Sequence, residues 1–409
     1  MHRLTMPIAA ALLAHLAAAP ALADGTTTRV SVGPRGEQAD DASFSPSLSA
    51  NGRFVAFNSA ATNLAPGTVG RLGNIFVRDR RTGTNELISR GLRGVRVDDS
   101  SFDPIISADG RFVAFASRAT NLVAGDTNDL FDVFLHDRRT GRTTRVNLGP
   151  RGAQDNGGAQ RPALSADGRV VVFLSGASNL VPGDTNGHPD VFAYERATGR
   201  VTRVNVGPGG AAAEAPSYNP PSISGNGRYV AFDSAATNLV PGTRHPRFTK
   251  VFVHDRATGR TELASVGPGG VQADRRASLG SISPDPDGRY VAFSSEATNL
   301  VPGFGHRVQV FVHDRKTGGN VPASLGWDGA PSSQDAVQAK VSADGRVVAF
   351  SAYATGLVPG DDKSNTEIFV RDRDAGTTER AAAGPGGVVP NSGSRSPALS
   401  ADGRFVAFD

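Results

Sequence analysis

Short runs of alternating apolar and polar residues recur along this chain, and turn-forming residues separate them. In the unit spanning residues 104–149 the runs occupy 104–107, 111–115, 132–137 and 143–147. Such runs are typical of short β-strands, and Asp109-Gly110 between the first two is typical of a hairpin turn. Each unit is therefore predicted to hold four antiparallel strands, A to D. Hairpins join A to B and C to D, and longer links join B to C and D to the next A.

The unit repeats from one end of the chain to the other. A turn glycine precedes each strand B, and successive marker glycines lie 57 to 61 residues apart, at Gly52, Gly110, Gly168, Gly227, Gly288, Gly345 and Gly403. A period of this size indicates small units that bury their apolar faces against one another. Four-stranded units without helical periodicity predict an all-β fold, a β-propeller of four-stranded antiparallel blades. A β-helix is the structural alternative, but its repeats are shorter.

The two ends of the sequence bear on the number of blades. Six complete units run from about Pro46 to Ala383, residues 28–34 match strand D, and residues 397–400 and 404–408 match strands A and B. We therefore predict seven blades, six complete and one shared by the termini, with six blades as the alternative. The shared blade has no strand C, so it is either short or part of a longer chain.

The first residues have the pattern of a secretory leader. A basic residue, Arg3, precedes the apolar segment 8–19, and residues 21–23 form a small-x-small cleavage signal. We expect a signal peptide at residues 1–23, a single propeller domain at 24–409, and a secreted or periplasmic location. The chain has no cysteine, so we expect no lipoprotein anchor and no disulfide.

The charge pattern narrows the range of partners. The chain has 43 Lys and Arg against 39 Asp and Glu, a net charge of +4, and both signs are mixed within every unit. A mixed surface of this kind does not predict a nucleic-acid partner. We expect a monomer without a membrane anchor after leader cleavage. Neither a Gly-x-Ser-x-Gly nor a His-Glu-x-x-His motif is present.

Two of the B–C links contain the pattern Asp-x-Asn-x-x-x-Asp. Carboxylate and amide oxygens at this spacing are ligands that Ca²⁺ accepts, so calcium is the one cofactor considered. The candidate metal ligands are Asp126, Asn128, Asp132, Asp184, Asn186 and Asp190. The alternative is an Asx-turn, in which the same side chains order the loop through its own backbone. The sixth unit has an irregular version, and the first, fourth and fifth have no acidic set.

Other polar residues are interpreted by repeat position. His136, His254 and His313 share a strand C position that holds Arg or Tyr elsewhere, so we interpret it as a surface site rather than a ligand set. An arginine follows every marker glycine, and an acidic residue ends every complete strand C. Residues that occur in every unit indicate ion pairs that stabilise blades rather than an active site.

Two sequence strings carry a family resemblance. Residues 107–115, Ser-Ala-Asp-Gly-Arg-Phe-Val-Ala-Phe, and residues 132–141, Asp-Val-Phe-x-x-Asp-Arg-x-Thr-Gly, resemble the WD40-like repeats of the TolB-type β-propeller family. The resemblance covers residues 28–409 and implies a secreted bacterial propeller. TolB carries an α/β domain before its propeller, whereas here the first strand begins within a few residues of the expected cleavage site.

The links predict where function lies. Antiparallel blades put the A–B and C–D hairpins at one end and the long, variable B–C and D–A links at the other. Variable loops on a rigid frame usually carry binding, so we expect a non-catalytic scaffold that binds a protein or glycan around the channel mouth. The alternative is a metal-dependent polysaccharide lyase or hydrolase on the same face. It requires at least three of five side chains to converge on a common point: His188, His245, His306, Asp184 and Asp190.

Overall fold

A computed structural model of the protein describes residues 26–66, 68, 72–304, 307–353, 355–359, 365–382 and 392–409. These residues form 26 β-strands and four short 3₁₀ turns. The expected signal peptide, residues 1–23, lies outside the described residues. Within them, no helix is long and apolar enough to cross a membrane.

The first three four-stranded antiparallel sheets follow one another along the chain. Blade 1 contains β1 (Ser43–Leu48), β2 (Phe54–Ser59), β3 (Asn74–Asp79) and β4 (Thr84–Leu87). Blade 2 contains β5 (Ser101–Ile106), β6 (Phe112–Ser117), β7 (Asp132–Asp137) and β8 (Arg142–Arg145). Blade 3 contains β9 (Ala159–Leu164), β10 (Val170–Ser175), β11 (Asp190–Glu195) and β12 (Arg200–Arg203).

Three more blades and a smaller sheet complete the structure. Blade 4 contains β13 (Ser222–Ile223), β14 (Tyr229–Ser234), β15 (Lys250–Asp255) and β16 (Arg260–Leu263). Blade 5 contains β17 (Ala277–Ile282), β18 (Tyr290–Ser295), β19 (Gln309–Asp314) and β20 (Gly319–Pro322). Blade 6 contains β21 (Ala336–Val341), β22 (Val347–Ala352), β23 (Glu367–Asp372) and β24 (Thr377–Arg380). Strands β25 (Ala398–Leu399) and β26 (Val406–Ala407) form a two-stranded sheet.

The predicted propeller of four-stranded antiparallel blades is confirmed, but the predicted seventh blade is wrong: six four-stranded blades form, as in the alternative. Residues 28–34, expected as the outer strand of a shared blade, instead lie against blade 1, where the Val32 carbonyl accepts the Asn85 amide at 2.7 Å. A fourth strand needs a third to pair with, and β26 has no such neighbour among the described residues. The two-stranded sheet lies between blades 6 and 1, bonded to both through Ala401.

The core lies between blades because strands B and C are buried on both faces. At the centre of each blade one phenylalanine of strand B packs on one of strand C, with ring centroids 5.7 to 5.9 Å apart. Between blades 2 and 3, Phe112 and Leu135 of one blade join Leu164, Phe173 and Phe192 of the next in one apolar cluster. Because each blade needs a neighbour to cover its faces, the units are stable only as an array.

The marker glycine of each turn packs against the preceding blade. A Cβ added to Gly110 would lie 2.2 Å from the Phe54 ring, and one added to Gly168 would lie 2.2 Å from the Phe112 ring. Both glycines also have positive φ, +76° and +67°. The aromatic ring at the start of strand B is covered by two guanidinium groups: Arg53 and Arg138 lie 4.6 and 4.7 Å from the Phe54 centroid. Arg138 comes from the next blade, so cation–π contact joins neighbouring blades.

Hydrogen bonds between successive A–B turns encircle the propeller axis. The amide of each turn donates to the carbonyl of the next, in the pairs Ala50–Ala108, Ala108–Ala166, Ala166–Gly225, Gly225–Asp285, Ala343–Ala401 and Ala401–Ala50, at 2.9 to 3.1 Å. Among the described turns only the step from blade 5 to blade 6 lacks this bond. Pro284 occupies the donor position there and has no amide hydrogen.

The predicted ion pairs within blades are confirmed in five of the six. The arginine after the marker glycine pairs with the last acid of strand C at 2.6 to 2.7 Å, in the pairs Arg53–Asp79, Arg111–Asp137, Arg228–Asp255, Arg289–Asp314 and Arg346–Asp372. In blade 3, Glu195 pairs instead with Arg256 of blade 4. The hydrogen bonds from these arginines lower the pKa of Asp79, Asp137 and Asp314 to about 2.

Gly110→Ala should destabilise the propeller much more than Gly141→Ala. Gly141, in a C–D turn, has a similar φ of +69°, but a Cβ there meets nothing within 4 Å. We expect about 1 kcal/mol for the conformational cost shared by both variants. The collision with Phe54 should add about 1–3 kcal/mol for Gly110→Ala. Thermal unfolding followed by circular dichroism measures the difference, and equal melting temperatures would contradict a packing role for Gly110.

Candidate functional site

The inner strands carry a repeated backbone irregularity near the loop end. Five residues at one repeat position have positive φ of 51° to 57° although none is glycine: Ser45, Asp103, Arg161, Gln338 and Ser396. The pairing of strands A and B shifts register there in blades 1, 2, 3 and 6. Such β-bulges redirect side chains, and strained non-glycine residues often accompany function.

The residue before this position lies at the loop end of the blade, beside the propeller axis, and it is exposed in every unit except the fifth, where Ser278 is half-buried. We call the seven residues at this repeat position the channel-mouth ring: Phe44, Phe102, Gln160, Tyr218, Ser278, Val337 and Arg395. Phe44 and Tyr218 are 52% and 54% exposed, and Phe102 is 39% exposed with its ring against Phe131. Three exposed aromatic rings at equivalent positions around one axis form an apolar rim interrupted by polar groups.

Charged and polar groups lie just inside this rim. The Arg161 guanidinium donates to the Tyr218 carbonyl of the next blade. Burial raises the pKa of the half-buried Asp103, and the nearby charge of Arg161 opposes that shift. Asp233 is fully buried and accepts hydrogen bonds from the Asn219 side chain and, at 3.3 Å, from the Leu279 amide. These bonds fix adjacent inner strands to one another, so the rim rests on a rigid base.

We call the end with the B–C and D–A links the loop face and the end with the hairpins the turn face. In the described part of the chain, ten large apolar side chains are exposed, and one of them, Val321, lies on an outer strand. The other nine are on the loop face: Phe44, Leu92, Val95, Phe102, Tyr218, Val271, Trp327, Val337 and Tyr353. Exposed apolar surface is thus concentrated on one end of the propeller.

The link sequence Ala-Thr-Asn-Leu, common to most units, has a structural role that sequence reasoning missed. The Asn121 side chain donates to the Arg96 carbonyl at 2.8 Å, and the Thr120 hydroxyl donates to Asp98 at 2.6 Å. Both acceptors belong to the preceding D–A link. The same pair of contacts recurs in blade 1, where the Asn63 side chain donates to the Gln38 carbonyl and the Thr62 hydroxyl donates to Asp40. Each B–C link is therefore tied to the D–A link beside it, which makes the loop face rigid.

In blade 2 the candidate metal ligands surround an arginine. The Arg145 guanidinium lies 2.9 Å from carboxylate oxygens of both Asp126 and Asp132. The Asn147 amide donates to Asp132 at 2.5 Å. Asn128 turns its amide nitrogen to the Asp155 carbonyl at 3.0 Å, and its oxygen accepts the Leu130 amide at 3.4 Å in an Asx-turn. The structure thus brings Asp126 and Asp132 together around a guanidinium.

Blade 3 repeats this arrangement with small changes. Arg203 lies 2.9 Å from an oxygen of Asp184 and 3.1 Å from one of Asp190. Asn186 donates to both oxygens of Asp190, at 3.1 and 3.0 Å, and accepts the His188 amide at 3.2 Å. The Asx-turn that the sequence offered as an alternative is present in both loops.

A covariation within the repeats explains these arginines. In blades 2, 3 and 6 strand C begins with a buried acid, and an arginine follows thirteen residues later: Asp132 and Arg145, Asp190 and Arg203, Glu367 and Arg380. In the other blades strand C begins with Asn74, Lys250 or Gln309, and residue thirteen is Leu87, Leu263 or Pro322. The arginine is therefore the counter-ion of the buried acid. The fixed spacing was a sequence signal that could have identified it.

These acids share a crowded electrostatic environment. Burial, followed by the charge of Asp132, raises the pKa of Asp126 to about 6, although Arg145 acts in the opposite direction. Burial likewise raises the pKa of Asp184. Calcium binding at these loops stays a prediction, and any cation that binds there competes with a guanidinium for the same oxygens.

Three histidines that were predicted to lie at the surface are buried. His136, His254 and His313, predicted as surface sites, are only 8%, 5% and 5% exposed. The D–A link arriving from the preceding blade covers this position: in blade 4, Thr261 contacts the His254 Nδ1 at 3.0 Å and donates to the Val206 carbonyl at 2.6 Å. Burial lowers the pKa of His254 to about 4. Each histidine contacts a strand D side chain, and in blades 4 and 5 that side chain, Thr261 or Asn320, donates to a carbonyl of the link.

The residues required for the catalytic alternative are not seen to converge. Asp184 and Asp190 meet at Arg203, His188 is half-buried, and His245 is exposed on the loop of blade 4. His306 lies outside the described residues. Across the described ranges, no three His, Cys, Asp or Glu side chains form a group that could hold a metal ion.

Comparison with known proteins shows similarity of fold alone. No protein-family model and no curated protein matches the chain. Solved structures do match, among them the propeller domain of the Trilobed protease from Pyrococcus furiosus, which has an open velcro topology (11% identity, 84% of this chain and 83% of that one, TM-score 0.50). Others are TolB from Acinetobacter baumannii (17%, 80% and 62%, 0.43) and oligogalacturonate lyase from Vibrio parahaemolyticus (12%, 90% and 87%, 0.49).

The propeller fold that the TolB-type resemblance implied is confirmed, since the described residues form four-stranded antiparallel blades. The chain spans 62% of the length of the matched Acinetobacter TolB chain.

Arg145→Gln should destabilise the protein by about 3–5 kcal/mol at about pH 7.5, because it leaves two buried carboxylates without a counter-ion. The pKa of Asp126, about 6 in the folded protein, lies above its unfolded value. The contribution of Asp126 to the free energy of unfolding is therefore present at low pH and is lost as the pH rises through its folded pKa. The difference in free energy of unfolding between the variant and the unmodified protein should accordingly become smaller towards about pH 5. Urea unfolding at both pH values measures this. Arg142→Gln, exposed at the start of the same strand, is the control, and equal losses in both variants would contradict the counter-ion role.

The unmodified protein and Arg145→Gln also test the predicted calcium site. Millimolar Ca²⁺ should raise the melting temperature of Arg145→Gln more than that of the unmodified protein, because removal of the guanidinium frees carboxylate oxygens for the ion. Calorimetry with the ion alone gives the affinity. No heat and no thermal shift in either protein would overturn the calcium prediction.

Proposed function

We propose that this protein is a non-catalytic β-propeller of the periplasm or cell exterior that binds a protein or glycan partner on its loop face. The observation that carries the proposal is the concentration of exposed apolar side chains there, nine of the ten in the described part of the chain. Exposed apolar side chains concentrated on one face of a protein commonly mark an interaction site.

The channel-mouth ring is the proposed centre of the interface. Its aromatic side chains Phe44, Phe102 and Tyr218 offer flat apolar faces, and Gln160 and Arg395 between them offer exposed hydrogen-bonding groups. Aromatic rings with neighbouring polar groups suit both the apolar face of a sugar ring and the central contacts of a protein interface. The tied B–C and D–A links hold this surface in one conformation, which reduces the entropy lost on binding.

The turn face is less suited to binding because its distinctive groups are already used. Its arginines pair with the acids of strand C or cover the rings of neighbouring blades, as Arg111 does with Asp137 and Arg196 with Phe112. The turns themselves are bonded to one another around the axis. A partner at this end would have to compete with contacts that hold the ring together.

The triple variant Phe44→Ser/Phe102→Ser/Tyr218→Ser should lose partner binding by at least about tenfold, because central aromatic contacts dominate interface energies. Partners are identified with an array of bacterial envelope glycans and by cross-linking on intact secreting cells. Val321→Ser, which removes an exposed apolar side chain from an outer strand, is the matched control and should bind normally. Binding that survives the triple variant would place the partner elsewhere.

Catalysis is the outcome that would overturn the proposal. The purified protein is incubated with oligogalacturonate and Mn²⁺, and with a panel of envelope polysaccharides, and the products are separated by size. Shortened or unsaturated products that disappear in a variant of the loop face would establish an enzyme instead of a binding scaffold.

A further inference from the structure

Two blades lack a contact that the other four repeat. In blades 1, 4, 5 and 6 a polar side chain of strand D donates to a carbonyl of the D–A link arriving from the preceding sheet or segment. The donors are Asn85, Thr261, Asn320 and Thr378, and the acceptors are the carbonyls of Val32, Val206, Val266 and Leu325. In blade 2 the residue at this position, Thr143, contacts His136 at 3.0 Å, and no bond joins it to a link carbonyl among the described residues. In blade 3 the position holds Val201, which has no group to donate.

A cleft lies beside Val201 in blade 3. It has a volume of about 670 Å³ and lies between the link 148–152, the B–C link segment 180–182 and the outer strand 200–203. The Leu148 carbonyl oxygen, equivalent to the four acceptors of the other blades, receives no hydrogen bond from any described residue. We call this space the blade 3 cleft.

The lining of the blade 3 cleft combines apolar walls with positive charge. Leu148, Val181, Pro182 and Val201 form the walls. Arg151 and Arg200 are exposed, and their side chains make no ion pair or hydrogen bond with the described residues. Arg203 also lines the cleft but is engaged with Asp184 and Asp190. No acidic side chain is among the lining residues.

We propose that the blade 3 cleft binds a small amphipathic carboxylate. The aliphatic part lies between Val181 and Val201, and the carboxylate lies between the guanidinium groups of Arg151 and Arg200. The volume falls within the range of small-ligand sites, about 300–1,000 Å³. Charge complementarity selects an anion, and guanidinium groups are suited to carboxylates by their paired donors. This site goes beyond the partner interface proposed above, since none of its lining residues belongs to the channel-mouth ring.

The charge requirement is tested by calorimetric titration of the full chain with octanoate and, separately, with octanol. Octanoate should bind more tightly than octanol. Arg151→Gln/Arg200→Gln should lower octanoate affinity by about five- to tenfold, a size expected for two partly exposed ion pairs, and leave octanol binding unchanged. Arg260→Gln, at the position of Arg200 in blade 4, is the matched control and should change neither. Equal affinities for the two probes, or no octanoate binding at millimolar concentration, would overturn the proposal.

The broken repeat contact is tested by restoring it. Val201→Thr introduces the hydroxyl that Thr261 supplies in blade 4, where it donates to the link carbonyl at 2.6 Å. The added bond to Leu148 should draw the link towards strand D and weaken octanoate binding, while the melting temperature stays the same or rises. Thr261→Val removes the contact in blade 4 and should leave octanoate affinity at blade 3 unchanged. Octanoate binding that is insensitive to Val201→Thr would show that the probe binds outside the cleft.

Discussion

The contact between a turn glycine and the first side chain of the preceding strand B sets the geometry of the whole propeller. It recurs at six of the seven turns, with Phe54, Phe112, Val170, Tyr290, Val347 or Phe405 against the glycine. Because glycine has no Cβ, adjacent blades approach closely enough for their turns to form hydrogen bonds. The same close approach lets arginines of two blades contact one aromatic ring. The same approach brings the inner strands together at the axis. The channel-mouth ring therefore owes its spacing to a contact at the opposite end of the blade.

Charge within the blades is compensated locally. Each of the acids that begin strand C in blades 2, 3 and 6 faces an arginine of its own strand D, and the acids that end strand C face arginines from strand B in five blades. Buried carboxylates are costly unless paired, so such neutralisation lets polar residues occupy strands that are otherwise apolar. A protein without cysteine thus fixes its loops by guanidinium contacts. On the loop face, guanidinium groups thus hold the carboxylates that a bound ion holds in calcium-binding modules.

The sequence was sufficient for the blades and their ion pairs because both depend on residues that recur in every unit. The prediction of a seventh blade was wrong because residues 28–34 match strand D, but no strand C is present for them to pair with in the two-stranded sheet. The buried histidines were mistaken for surface residues because their cover, the link from another blade, is distant in sequence. The bulges gave no signal at all: Ser45, Asp103, Arg161 and Gln338 share a backbone conformation but no side-chain chemistry. Exceptions such as Val201 were visible in the sequence, yet their meaning required the contacts of the other blades.

Pro284 interrupts the ring of hydrogen bonds between turns, although the turn itself is repeated in every unit. Six backbone hydrogen bonds join the turns in order from blade 6 through the two-stranded sheet to blade 5, and among the described turns none joins blade 5 to blade 6. On the turn face the hydrogen bonds between turns thus form an open chain, and its two ends, in blades 5 and 6, are neighbours. Blades 5 and 6 are the neighbours whose turns can part without breaking a backbone hydrogen bond between them. The break in the hydrogen bonds between turns therefore lies away from the two-stranded sheet, which stands between blades 6 and 1.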